Sequence, residues 1–182
     1  RDHEIFSPLQ KYLLVIALVL YVATAFLCLL ELRTDARRFF HMASQIEQGG
    51  GGVLRITIAK PERRNAFDAA LIAELTEAFT DVGDARAVVL SGDGPSFCAG
   101  ADVEWQRSSI DLTYDENVAD ALRLYRMLEA IDSWPAPVVA RVQGFALGGG
   151  SGVVACADVV VAGPDAVFGF TEVRLGIIPA VI

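Results

Sequence analysis

Residues 137–152 read PVVARVQGFALGGGSG, an apolar run that ends in consecutive glycines. Residues 137–142 have the β-branched composition of a strand, and the apolar stretch 148–156 predicts a helix. Because glycine has no Cβ, backbone N–H groups at the start of such a helix can approach a ligand oxygen, and the helix dipole favours negative charge there. The stretch therefore predicts an oxygen-binding loop between a strand and a helix.

The flanking segments alternate in the same way. Strands are predicted at 53–58, 86–90 and 159–162, and helices at 68–80, with Asp68 as N-cap, and at 114–131. This alternation predicts an α/β fold with a largely parallel sheet. The apolar helix faces expected to be buried are Leu71, Ile72, Leu75, Ala78 and Phe79 in the first helix, and Val118, Leu122, Tyr125 and Leu128 in the second.

A second loop of small residues, 96–102 (SFCAGAD), follows another predicted strand. Small residues are needed wherever two backbone segments approach one oxygen atom, so the two loops together predict a pair of N–H donors, as in an oxyanion hole. Three other interpretations of the triple glycine compete with this one, and the first two lack a residue that their patterns require. The dinucleotide pattern G-x-G-x-x-G fails because Val153 occupies its last position. The pattern G-x-S-x-G around Ser151 also needs a glycine at 153, and the glycines could simply allow close packing of helix on sheet.

Charge and composition exclude several classes of function. The formal net charge is −8, which disfavours a broad nucleic-acid surface. Both histidines, His3 and His41, lie in the first 41 residues, so residues 42–182 offer neither a Ser-His-Asp triad nor a histidine metal site. Cys28, Cys98 and Cys156 form no CxxC pair, which favours a reducing compartment such as the cytoplasm and predicts no metal site.

The N-terminal segment, residues 1–41, contains nineteen residues without charge, 12–30, enough to cross a bilayer as a helix. Flanking arginines would place the following domain in the cytoplasm. Alternatively, residues 1–41 are upstream sequence that is not part of the native enzyme, because Met42 opens a stretch typical of a soluble start. Residues 42–52 are expected to form a linker before a domain at 53–182.

Four motifs resemble the enoyl-CoA hydratase/isomerase, or crotonase, superfamily in order and spacing. They are Asn65-Ala66, the FCAGAD run at 97–102, GFALGGG at 144–150 and FGFTEVRLGIIP at 168–179. The resemblance implies a crotonase-type (ββα) spiral fold that is incomplete at its C-terminus, since the family continues into helices that close the acyl pocket and build a trimer. It also implies an acyl-CoA thioester substrate, and a homotrimer or dimer of trimers for the whole protein.

The resemblance implies roles for individual residues. The backbone N–H groups of Ala101 and Gly149 would hold the thioester oxygen while an enolate develops, and Glu172 would act as acid and base. No metal or redox cofactor is expected, because coenzyme A is part of the substrate. The expected coenzyme A-binding residues are Arg64, Ala66, Ala99, Gly100 and Asp102, although Asp102 is also well suited to cap its loop.

Two positions depart from the family pattern. Gly152 stands where many hydratases carry a second glutamate, and Glu104 stands where some members have a phosphate-binding lysine. Gly152 and the ending at 172–182 are similar to methylglutaconyl-CoA hydratase-like members. The resemblance implies a hydratase of a 2-enoyl-CoA, of branched or glutaconyl type. A single-glutamate isomerase and an inactive acyl-CoA-binding module remain open.

Overall fold

The computed structural model describes residues 44–80, 83–179 and 181–182. The apolar segment 12–30, and with it the hypothesis of a membrane anchor, lies outside these residues. In the described ranges, no helix combines the length and the apolar character needed to cross a membrane.

Seven strands and four helices make up this part of the chain. The core sheet has the strand order β1-β2-β3-β4-β6, in which β1 is antiparallel to β2 and the other pairs are parallel, and β5 and β7 form a small parallel sheet. The elements are β1 (Ser44–Gln48), β2 (Val53–Ile58), α1 (Ala69–Thr80), β3 (Ala87–Gly92), α2 (Val103–Ser108), α3 (Tyr114–Asp132), β4 (Val138–Val142), β5 (Phe145–Leu147), α4 (Gly149–Ala155), β6 (Val159–Ala162) and β7 (Val167–Gly169).

Part of the expected linker forms strand β1. Within 42–52, Ser44–Gln48 pairs with β2, and a 3-10 turn at Gly50–Gly52 connects the two strands. The prediction of a linker throughout 42–52 was therefore wrong for β1. The strand is an edge strand of sequence SQIEQ, held mainly by backbone hydrogen bonds, so its composition carries little strand signal.

The first helix confirms its predicted cap and buried face. Asp68 Oδ1 accepts a hydrogen bond of 2.9 Å from Leu71 N, and the carboxylate also pairs with Lys60 Nζ. All five apolar residues expected to be buried lie in the core. Together they cover one face of the parallel sheet, where the side chains of β2 and β3, such as Ile56 and Leu90, are fully buried.

The second long helix, α3, corrects the prediction for its buried face. Leu128 is buried, but Val118, Leu122 and Tyr125 are 40%, 45% and 49% exposed. The buried residues of α3 are confined to its C-terminal part, from Met127 onward, because only this part packs against the core. The apolar stripe of its N-terminal half has the same helical spacing but no cover among the described residues.

The last strands and the 3-10 turn that follows them expose many apolar side chains. Val159, Val160 and Val161 of β6 are each at least 42% exposed, although the strand is entirely apolar. The other large apolar side chains exposed in this region are Val167, Phe168, Phe170, Val173, Leu175, Ile177 and Ile178.

Candidate active site

The glycine loop occupies the junction of β5 and α4. Gly148, the residue before the helix, has φ +52° and ψ −123°, a conformation accessible to glycine and strained for other residues. A Cβ built on Gly148 would lie 2.5 Å from Glu172 Oε1. Position 148 therefore needs a glycine, because the Glu172 carboxylate packs directly against its backbone.

The second loop lies beside the first. Cys98 N donates to Phe145 O at 2.9 Å and Leu147 N donates to Cys98 O at 3.0 Å, so residues around Cys98 pair with β5. Gly100 has φ +93°, and a Cβ there would lie 2.8 Å from Leu147 O and 3.6 Å from Gly149 N. Only glycine at position 100 allows the two loops to approach this closely.

The backbone around Ala101 is fixed by Phe67. Phe67 N donates to Gly100 O at 2.8 Å, and Asp102 N donates to Phe67 O at 2.7 Å. These bonds make a parallel bridge between Phe67 and Ala101, in which the N–H of Ala101 itself points away from Phe67.

Two backbone donors at the loops have no backbone acceptor. Gly149 is the first residue of α4, so its N–H has no partner within the helix. Across the described residues, no hydrogen bond joins the N–H of Ala101 or Gly149 to another backbone group. The family resemblance assigns the two donors to these residues, and the fold brings their segments together; their role as an oxyanion hole stays a prediction.

Glu172 begins a 3-10 turn at Glu172–Leu175 that follows β7. Its Oε2 is buried and makes no hydrogen bond within the described part of the chain, while Oε1 faces Gly148. A carboxylate with an unpartnered oxygen, packed against the residue that precedes the Gly149 N–H, can accept and return protons on a molecule held at that N–H.

The motifs and the fold agree with known proteins. The family model for enoyl-CoA hydratase/isomerase matches residues 48–182. The chain belongs to the enoyl-CoA hydratase/isomerase family. The predicted family and crotonase-type fold are confirmed.

Relatives of this family are known in sequence and in structure. A Mycobacterium bovis protein named "probable enoyl-CoA hydratase echA6" is 40% identical over 127 residues, which cover 69% of this chain and 49% of that protein. An enoyl-CoA hydratase structure from Shewanella pealeana superposes with a TM-score of 0.75 at 33% identity, covering 81% of this chain and 57% of that one. The structure of Pseudomonas aeruginosa AtuE superposes with a TM-score of 0.73 at 35% identity, and the match covers 76% of this chain and 55% of that one. The chain spans about half the length of the curated relatives it matches.

The residues that the family resemblance assigns to coenzyme A lie on two backbone segments, 64–66 and 99–102, which are hydrogen-bonded to each other. Ala99 N donates to Arg64 O at 3.0 Å, which joins the turn after β2 to the second loop. The Arg64 guanidinium lies 6.0 Å from the centre of the exposed Phe145 ring, a cation–π arrangement. Ala66 is buried. The five predicted residues are thus neighbours, and their binding roles stay predictions.

Asp102 makes a helix cap, and Glu104 makes an ion pair. Asp102 Oδ1 accepts from Glu104 N at 2.9 Å and from Trp105 N at 3.1 Å, which caps α2. Arg63 bridges Asp102 and Glu104 at 3.4 and 2.9 Å. Sequence reasoning missed Arg63, since it carries no motif signal of its own. The hydrogen bond and the charge of Glu104, followed by the charge of Asp102, raise the pKa of Arg63.

Asn65 was recognised only as part of a motif, without a role. Its side chain is fully buried and accepts from Lys60 N at 2.8 Å while donating to Asp93 O and Ser96 O at 2.9 and 2.8 Å. These bonds connect the turn after β2 with the loop after β3. Asn65 lies in the turn after β2, which must meet the loop after β3. This position is the signal that could have revealed its role.

Gly152, the family position with a second glutamate in many hydratases, faces an apolar neighbour. A Cβ at Gly152 would lie 2.5 Å from Ile182 Cγ2. The space that a larger side chain would enter is therefore occupied by an isoleucine side chain.

Proposed function

We propose that the whole protein is an enoyl-CoA hydratase that adds water across the double bond of a 2-enoyl-CoA. The observation that carries this proposal is the arrangement of Glu172 against Gly148, next to the unpartnered N–H groups of Ala101 and Gly149. A thioester oxygen held by both N–H groups would gain negative charge during the reaction, and each such donor contributes about 2.7–4 kcal/mol to the stability of a transition state.

The proposed reaction balances with one carboxylate. Glu172 takes a proton from water, and the water oxygen bonds to the β-carbon. The electron pair of the double bond moves onto the thioester oxygen, where the N–H groups of Ala101 and Gly149 hold the enolate. Glu172 then returns a proton to the α-carbon, which restores the thioester and the ionised carboxylate.

Substrate class and assembly belong to the same proposal. Arg64, Ala66, Ala99, Gly100 and Asp102 would border the coenzyme A moiety, with the Arg64 and Phe145 pair as a platform for its adenine. The similarity of Gly152 and the 172–182 segment to methylglutaconyl-CoA hydratase-like members supports a branched or glutaconyl-type acyl group. The reaction requires no metal or redox cofactor, and the whole protein would be a homotrimer or a dimer of trimers.

An enoyl-CoA isomerase is the second candidate, favoured by the contact between Gly152 and Ile182. Ile182 fills the space beside Gly152, and no second carboxylate stands at position 152 to share the proton transfers with Glu172. One carboxylate suffices for an isomerase, which removes a proton from one carbon and returns it to another.

Replacement of Glu172 by Gln in the whole protein tests the proposal. We expect loss of at least about a hundredfold in kcat with a 2-enoyl-CoA, since general acid–base catalysis contributes 10²–10⁴-fold. Glu77→Gln is the matched control, because Glu77 is an exposed carboxylate on α1. Product analysis with 2-enoyl and 3-enoyl thioesters separates hydratase from isomerase. Tight binding of both thioesters without turnover of either would instead identify an acyl-CoA-binding module.

A further inference from the structure

Ser151, the third residue of α4, is a buried polar residue next to the candidate site. Its side chain is 9% exposed. Its Oγ donates to Ala146 O at 2.6 Å and accepts from Gly169 N at 3.3 Å. The hydroxyl also lies 3.3 Å from Gly169 O, so it is engaged with backbone groups of two residues, Ala146 and Gly169, and is not available as a nucleophile.

These bonds differ from the usual hydrogen bonds of a serine in a helix. A helical serine commonly returns its hydroxyl to the carbonyl four residues earlier in the same helix. Ser151 instead reaches Ala146 in β5 and Gly169 in β7, both outside α4. One hydroxyl therefore joins three elements.

The elements that Ser151 joins carry the two halves of the candidate site. Gly149, with its unpartnered N–H, lies two residues before Ser151 in the chain, and Glu172 lies three residues after Gly169. A second hydrogen bond also ties Gly169 to the glycine loop, since Gly148 N donates to Gly169 O at 2.8 Å. Gly169 is thus held on both of its backbone groups, by Ser151 and by Gly148.

We propose that Ser151 is a positioning residue, which fixes the distance between the Gly149 N–H and the Glu172 carboxylate. This inference rests on the proposed function. The Glu172 turn has few other attachments, because its residues from Val173 to Ile178 are largely exposed. Loss of the hydroxyl would leave Gly169 N without this acceptor, so the end of β7 and the Glu172 turn would shift away from the glycine loop.

Ser91 provides the matched control. It is also 9% exposed, and its Oγ lies 3.1 Å from Thr57 Oγ1, between β2 and β3 of the core sheet. Ser91→Ala therefore removes a hydroxyl of equal burial, at a similar cost in stability of about 1–3 kcal/mol, without touching the glycine loop.

The experiment compares Ser151→Ala with Ser91→Ala in the whole protein by steady-state kinetics. For Ser151→Ala we expect a fall in kcat of about 10- to 100-fold with KM changed by less than about threefold, because a displacement of 1 Å at a reacting group can cost 10²-fold. Ser91→Ala should keep kcat within about twofold. Equal loss in both variants, or full kcat in Ser151→Ala, would overturn the positioning role.

Hydrogen–deuterium exchange of the free protein separates this inference from the proposed function. In Ser151→Ala, peptides covering 167–176 should exchange faster than in the wild type, while those covering β2 and β3 stay unchanged. If the wild type turned over no enoyl-CoA, the proposed hydratase function would fail. The exchange measurement would still show whether Ser151 holds the Glu172 turn in place. Unchanged exchange at 167–176 in Ser151→Ala would overturn the positioning role of Ser151. Ser151→Cys, which keeps a weak S–H donor and a weak sulfur acceptor in place of the hydroxyl, replaces Ser151→Ala if the latter fails to fold.

Discussion

Glu172 Oε1 lies 2.5 Å from the position that a Cβ would take at Gly148, so the carboxylate rests against bare backbone. The contact joins a residue of the glycine loop to one that follows it by twenty-four positions, across the β5 and β7 ladder. It explains why position 148 holds glycine, and it places the only charged group of the 168–173 segment at the helix start.

Gly148→Ala should therefore remove activity more than stability. The new methyl group would displace the Glu172 carboxylate, and the φ of +52° would add strain of about 1–3 kcal/mol. We expect kcat for a 2-enoyl-CoA to fall by at least about 100-fold, as for other misplaced acid–base groups. Gly50→Ala is the control, since nothing lies within 4 Å of its Cβ position. Wild-type kcat in Gly148→Ala would refute the contact.

Asp102 is expected to act mainly as a helix cap. Asp102→Ala should lower the free energy of unfolding by about 1 kcal/mol, because Glu104 N and Trp105 N lose their acceptor. Asp102→Asn keeps an oxygen at the cap and should restore most of this loss in urea denaturation. If Asp102 bound coenzyme A through its charge, both variants would instead raise KM equally at unchanged stability.

Cys98 should resist alkylation in the folded protein. Burial raises the pKa of its thiol to about 12, and it raises the pKa of the partly exposed Cys156 to about 11, with a smaller contribution from Asp132. At pH 8, iodoacetamide should modify Cys156 slowly and Cys98 only after denaturation, because the thiolate is the reactive form. Mass spectrometry of the peptides measures both rates. Labelling of Cys98 as fast as Cys156 in the native state would contradict its buried place beside Gly150.

The exposed apolar side chains after α4 predict self-association of the 182-residue chain. Val159, Val160 and Val161 lie on one strand, and large exposed apolar patches promote association. We expect poor solubility, binding of a hydrophobic dye and a broad distribution in analytical ultracentrifugation. Val160→Lys, a change on β6, should reduce dye binding. A monodisperse monomer that melts cooperatively would contradict this prediction.

The strongest sequence patterns gave the core of the fold correctly. Strand β2 and helix α1 have regular periodicity that reflects burial on one side, so Ile56 and Leu75 could be placed from spacing alone. The N-terminal half of α3 has the same spacing, yet Leu122 is exposed. Periodicity shows that a face is apolar, but which element covers it depends on packing between distant segments.

The short elements could not be predicted for a different reason. Strands β5 and β7 have three residues each and are held by contacts across the loops, as in the pairing of Ala146 with Phe168. The candidate site residues Ala101, Gly149 and Glu172 were proposed because their motifs resemble a family. Ser151 and Asn65 act through tertiary hydrogen bonds, which leave no periodic signal in the sequence.

The most direct test of the account is the carbonyl stretching frequency of a bound enoyl-CoA. The whole protein with Glu172→Gln, which should bind without rapid turnover, is mixed with a thioester labelled with carbon-13 at the carbonyl, and isotope-edited infrared spectra are recorded. Hydrogen bonds from Ala101 and Gly149 N–H to the thioester oxygen should shift the band to lower frequency than in free substrate. A bound thioester whose carbonyl absorbs at the free frequency would contradict the proposed site.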